Sequence, residues 1–134
     1  MFEKGNLEAA RISGAKLESA NLEGAVLVGA DLEFAIMTKA VVRHARLCGA
    51  DMSGVNLEGA DLREADLREV NLRGASLREA RLDRVDFRAA RLGGAFLNGA
   101  SLREADLRDA YLRMARLDGA DLSAEIRKAW PVPS

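Results

Sequence analysis

The sequence predicts an all-β solenoid, a polygonal coil that turns about once every five residues around a core of Leu and Ala. Three observations predict it. An apolar residue stands at every fifth position from Phe2 to Leu122, and the phase never slips. Two positions before each of these is a second small apolar residue, Ala in nearly every repeat. Aromatic residues make up only 4% of the chain against 49% hydrophobic residues overall, so a core must come from aliphatic side chains.

The regular alternatives fail on geometry. On an α-helix a step of five residues turns about 500°, which would spiral the Leu residues around the whole surface. On a continuous strand the side chains alternate with period two, so the same residues would change face at every step. A five-residue pattern held in phase requires a sharp turn in each repeat and two inward positions on each side. The larger inward position is mostly Leu, and its exceptions, Phe2, Ile12, Met37, Val42, Met52 and Phe87, are all apolar. The smaller one is Ala except at Gly5, Val55, Val70 and Val85. A charge at either would be buried without a partner, at a cost of several kcal/mol. A bulky residue at the smaller position would overpack the interior, typically by about 1–3 kcal/mol. The three Val residues are therefore expected to widen the coil locally.

Units such as Ala60-Asp61-Leu62-Arg63-Glu64, Ala65-Asp66-Leu67-Arg68-Glu69 and Ala105-Asp106-Leu107-Arg108-Asp109 resemble the pentapeptide repeat, A-(D/N)-L-x-x. The resemblance covers about residues 2–124. It implies a right-handed quadrilateral β-helix with four repeats per coil. Each coil then takes 20 residues, the chain makes about six coils, and the rod is roughly 29 Å long at the usual strand spacing. Residues 1–122 form this repeat domain, and residues 123–134 form a short C-terminal capping helix and tail.

Coils bury their edges only by stacking on neighbours, so both ends need covers. At the C-terminal end, Ser123 is placed to cap a short helix, with Glu125 in its first turn and Arg127 and Lys128 in its last. Ile126 and Trp130 are four apart and share a face. Pro131 and Pro133 end the element. Trp130 is expected to lie over the Leu117 and Leu122 end of the core. The N-terminal end shows no comparable cover. That end is expected either to stack on another subunit, giving a homodimer through an end coil, or to continue a longer array.

With 20 residues per coil, residues 20 apart stack in columns. One side carries Asp61-Arg63-Glu64, Arg81-Asp83-Arg84 and Ser101-Arg103-Glu104, with alternating signs that read as a solubilising face. On the next side Asp66, Asp86 and Asp106 form one column, and Arg68, Arg88 and Arg108 another. Like charges stacked this closely repel unless each Asp pairs with the Arg of its own coil, and an Arg column is also suited to an acidic partner. Outward apolar residues concentrate in the second coil, at Val26, Val28, Phe34, Ile36 and Val41, with a smaller group at Phe96, Tyr111 and Met114. The first group and the Arg column are the candidate partner contacts.

The charge balance is 20 basic against 21 acidic residues, net −1, which offers no basic footprint for nucleic acid and no basic membrane-surface segment. No stretch is apolar for the length of a membrane span, and no signal peptide is visible. The single Cys48 precludes an internal disulfide framework. A cytoplasmic setting is expected. Catalysis finds little support. His44 and Cys48 are four apart, but on this coil they fall on adjacent sides, with no further His or Cys to complete a metal site. A Cys–His nucleophile pair would also need an orienting group and a pocket. The Gly residues at the last repeat position mark turns. No enzyme activity, cofactor or metal is expected.

The favoured reading is a non-catalytic, rigid binding or scaffold module with a protein partner. The alternative implied by the resemblance is a DNA-mimicking regulator of DNA gyrase that protects it from quinolones. Three features weigh against it. No side carries a large acidic excess, Phe is rare at the larger inward position, and no loop interrupts the repeats.

Overall fold

A computed structural model describes residues 4–129 of the chain. Its backbone steps through the same five-residue unit along almost its whole length. In each unit the larger inward residue closes a tight turn. The Leu7 carbonyl, for instance, accepts the Ala10 N–H at 3.0 Å, and the pattern recurs at Ile12–Ala15, Leu17–Ala20 and onward. The third residue of each turn has positive φ, as in Ala9 (56°), Gly14 (70°), Ser19 (57°) and Phe34 (57°), which is the type II signature. This explains why Gly is frequent at that position. Where a side chain stands there instead, it strains the backbone by roughly 1–3 kcal/mol, and neighbouring coils hold it in place.

The Asp or Asn preceding the larger inward residue has a local task. Its side-chain oxygen accepts the N–H two residues on, as Asn6 does from Glu8 at 3.1 Å and Asp31 from Glu33 at 3.1 Å. The repeat signature is thus a turn signature, with the Asx side chain bracing the corner.

Stacking is by parallel bridges between residues 20 apart. Asn6 pairs with Val26, Arg11 with Asp31, Lys16 with Ile36 and Asn21 with Val41, and each series continues upward. The four series are four sides. We call them first (through Leu22, Val42 and Leu62), second (Leu27, Leu47, Leu67), third (Leu32, Met52, Leu72) and fourth (Met37, Leu57, Leu77). Most bridges involve one residue. The pairing extends to two residues at β1 (Ser101–Leu102) and β2 (Asp121–Leu122), which run parallel with Ser101 opposite Asp121. The shortness of the pairing follows from the five-residue unit, which turns before a longer strand can form.

The core runs along the axis. From Leu22 to Leu102 the inward side chains are buried, whereas Leu7, Ile12 and Leu17 are only partly so. No described polar or charged residue is buried. Val55, Val70 and Val85 are buried as fully as the Ala residues they replace. The expected widening does not interrupt the ladder there, since Asn71 N–H still reaches the Ala50 carbonyl at 3.0 Å and Asp86 N–H the Ala65 carbonyl at 3.1 Å. The extra methyls are taken up inside the coil.

The helix α1 (Ala124–Ala129) follows β2 directly. Ser123 precedes it, and its carbonyl accepts the Arg127 N–H at 3.0 Å. Ile126 is buried and belongs to the same core cluster as Leu117 and Leu122. Trp130 lies outside the described residues.

Candidate protein-contact site

The second and third sides use their outward charges in opposite ways. On the second side every Arg of the predicted column holds the Asp of its own coil through two bonds. Arg68 donates to Asp66 at 2.8 and 2.7 Å, Arg88 to Asp86 at 2.9 and 2.7 Å, and Arg108 to Asp106 at 2.9 and 2.6 Å. Arg68 and Arg88 also approach the Asp one coil on, at 3.8 Å. The stacked like charges are thereby interleaved. The Arg side-chain bonds hold the Asp66, Asp86 and Asp106 carboxyls below the usual carboxylate range, against the opposing effect of desolvation. The same bonds push the three guanidinium groups up. The first side contains a similar fork, Arg63 on Asp61 at 2.8 and 2.7 Å, and a bridge between coils from Arg103 to Asp121 at 2.7 Å. Burial raises the Asp61 carboxyl, but the bonds and charge of Arg63 bring it below its ordinary value.

On the third side, above Arg11 of the first coil, the signs are segregated along the rod. Its lower half brings together the half-buried Asp31, Glu33 and Asp51, with one carboxylate oxygen from each lying within 4.8 Å of the others. Ser53 Oγ donates to Asp51 at 2.9 Å, and Asn71 Nδ2 does so at 3.4 Å. The upper half carries Arg73, Arg91 and Arg113, and no acidic residue follows Asp51 on this side. Together with Arg116 from the fourth side, these three rim an open cleft of about 810 Å³ floored by Gly93 and Gly94 and walled by Phe96, Tyr111 and Met114. Among the described residues, none of the four rim Arg side chains has an ion-pair partner. Tyr111 is 65% and Met114 81% exposed. Arg78 lies over the Phe96 ring, 4.4 Å from its centroid.

Gly93 makes this cleft. It occupies the outward position that holds Arg73 and Arg113 in the two neighbouring coils and Ser53 one coil further down. A Cβ there would lie only 3.7 Å from the Arg113 carbonyl and 3.9 Å from Arg73 Cγ, so any side chain would begin to fill the floor.

The predicted apolar band in the second coil does not form one patch. Val26 and Val28 lie on the second side, Phe34 at the edge of the third, Ile36 on the fourth and Val41 on the first. All but Phe34 are half-buried. Phe34 is 66% exposed, and its ring lies against Gly54 of the next coil, where a Cβ would come within 2.5 Å of it. The smaller group, Phe96, Tyr111 and Met114, is the one the fold assembles. The signal for it was available in the sequence as a column of Arg without acidic neighbours, broken by a Gly pair. His44 Nε2 faces Glu64 at 3.9 Å, and Cys48 is a half-buried free thiol.

The chain matches the family described as Pentapeptide repeats (8 copies) over residues 6–43, 15–54, 50–88 and 86–123. It belongs to the pentapeptide repeat family. Members of this family fold as right-handed quadrilateral β-helices, which is the four-sided coil described above. Among solved structures, the chain is similar to the pentapeptide repeat protein Rfr23 from the cyanobacterium Cyanothece 51142, at 35% identity and a TM-score of 0.66, covering 66% of this chain and 60% of that one. It is similar to alr5209 from Nostoc PCC 7120 at 27% identity and a TM-score of 0.52, covering 69% and 84% of the two chains. It also matches HetL, a protein involved in heterocyst differentiation regulation in Nostoc sp. strain PCC 7120, at 32% identity over 86% of this chain and 60% of that one, with a TM-score of 0.31. The chain thus spans 60% of the length of Rfr23 and of HetL. No curated protein matches it. Among the described residues, no helix is long and apolar enough to cross a membrane.

Proposed function

We propose that this pentapeptide repeat chain is a rigid, non-catalytic binding rod that contacts a protein partner through its third side. The observation that carries the reading is the Gly93–Gly94 cleft, whose four rim Arg side chains have no carboxylate partner among the described residues and whose walls expose Tyr111 and Met114. Exposed aromatic and Arg side chains around an apolar recess are the residue types that dominate protein contacts. Unpaired guanidinium groups favour a partner surface bearing carboxylates. The Arg68, Arg88 and Arg108 column is a weaker candidate because its charge is already matched within each coil. The rod of about six coils, closed at its C-terminal end by α1, supplies the stiffness and works in a cytoplasmic setting. Mimicry of DNA receives no support from the charge pattern. The carboxylates of the second side are covered by Arg, and those of the third occupy only half its length.

The test is affinity recovery with the immobilised chain, comparing Tyr111→Asp combined with Met114→Asp against Arg68→Glu combined with Arg88→Glu. The reading predicts loss of bound protein for the first pair and retention for the second. The reverse pattern would move the contact to the second side, and unchanged recovery with the first pair would exclude the cleft.

A further inference from the structure

We infer that the third side is self-complementary and that its partner is a second copy of this chain, packed side against side with the two rods antiparallel. The inference rests on the reading of the third side as a protein-contact surface and names what that surface takes.

A two-fold axis lying between two such sides, perpendicular to the rods, keeps each outward column opposite its own copy while reversing the order of coils. With the axis at the coil of Asn71 and Arg73, Asp51 faces the partner's Arg91 and Glu33 faces the partner's Arg113. Phe34 faces the partner's Met114, and Asp31 faces the partner's Tyr111, whose hydroxyl can donate to it. Asn71 meets its own copy and can exchange amide hydrogen bonds with it. Arg73 also meets its own copy, one coil from the partner's Asp51. The oppositions off the axis each occur twice, once on either side of it, and the two self-meetings on the axis occur once.

Three features of the isolated chain fit this packing. Among the described residues no Arg or Lys forms an ion pair with the cluster of Asp31, Glu33 and Asp51, although Arg11 stacks one coil below Asp31, and the upper half gathers Arg residues with no carboxylate. Each half supplies what the other lacks. The Phe34 ring lies over Gly54, between two coils, and the level facing it on the partner is the Gly94–Met114 wall of the cleft. An exposed ring and an apolar recess therefore meet in the same packing that matches the charges. The alternative two-fold, with rods parallel, sets carboxylates on carboxylates and Arg on Arg. One side over these five coils is only about 24 Å long, so association is concentration-dependent and weaker than that of an obligate dimer.

Sedimentation equilibrium of the full chain, from the low micromolar to the near-millimolar range, tests the inference. The wild type is expected to pass from monomer to dimer. Glu33→Arg and Arg113→Glu should each raise the dissociation constant by about tenfold or more, and combining them in one chain should restore it to within a few-fold, because the swapped charges then face each other. Gly93→Leu should weaken the dimer while the melting curve of the monomer stays in place. A wild type that stays monomeric throughout overturns the inference. So does a dimer indifferent to both single reversals, or one that the double reversal fails to restore. If the chain is monomeric but Tyr111→Asp with Met114→Asp still abolishes recovery of another protein, the contact reading stands and the second copy is excluded. If neither measurement responds to third-side changes, the reading itself fails.

Discussion

The second and third sides of this rod are built on the same inward residues and the same turn, yet they have different surfaces. On the second side Asp and Arg recur together in the three upper coils, at 66 and 68, 86 and 88, 106 and 108, and each Asp of the column is matched by the Arg of its own coil. On the third side, above Arg11, the acids occupy two coils and the Arg residues the coils above them, so opposite charges are not matched within a coil. The solenoid fixes which residues stack. Whether a side is inert or adhesive depends on whether opposite charges fall within a coil or several coils apart.

The largest effects should be indifferent to this contrast, because the core serves both sides. Leu67→Ala and Leu72→Ala should each cost about 2–5 kcal/mol, read as similar drops in the urea midpoint. A marked difference between them would mean the sides do not share one core. Next come the corners of the third side. Gly54→Ala and Gly94→Ala both force a side chain onto positive φ, at 65° and 66°, but only the first also drives a Cβ into the Phe34 ring. Gly54→Ala should therefore be the more destabilising by about 1 kcal/mol, and the excess should vanish in a Phe34→Ala background. An excess that persists would mean that the ring does not rest there.

The acid limb is a smaller effect and belongs to the second side. Asp66, Asp86 and Asp106 have folded values below the ordinary 3.8, so their contribution is complete above that pH and is lost as pH falls through the folded values. Asp86→Asn should flatten the loss of stability below about pH 4, by no more than about 1 kcal/mol because water screens the pair. Steepening of the acid limb would contradict the pairing. The smallest effect should be on the third side. Arg91→Ala and Arg113→Ala should change monomer stability by less than about 0.5 kcal/mol, since neither side chain has an ion-pair partner among the described residues. A larger loss in thermal denaturation of the monomer would show that they do.

The coil and its interior were legible in the sequence because each inward position is marked by residue type alone, and the Asx-braced turn makes the five-residue unit locally self-sufficient. The site was only partly legible. Val26, Val28, Phe34, Ile36 and Val41 are neighbours in sequence, but a coil that turns every five residues sends them to four sides. Arg73, Arg91 and Arg113 are far apart in sequence, and stacking brings them together. Reading down 20-residue columns recovers that charge pattern. It does not reveal that Gly93 leaves an apolar floor, or that Asp31, Glu33 and Asp51 turn toward one another, because both depend on where side chains settle between coils.

The central claim is that the third side, not the second, is where this molecule makes contact. The most direct measurement is the change in backbone amide chemical shifts as the full chain is concentrated from the low micromolar to the near-millimolar range. The account predicts shifts confined to residues 31–34, 51–54, 71–74, 91–94 and 111–116, with residues 66–68, 86–88 and 106–108 unmoved. Shifts centred on the second-side residues, or none on the third side, would contradict it.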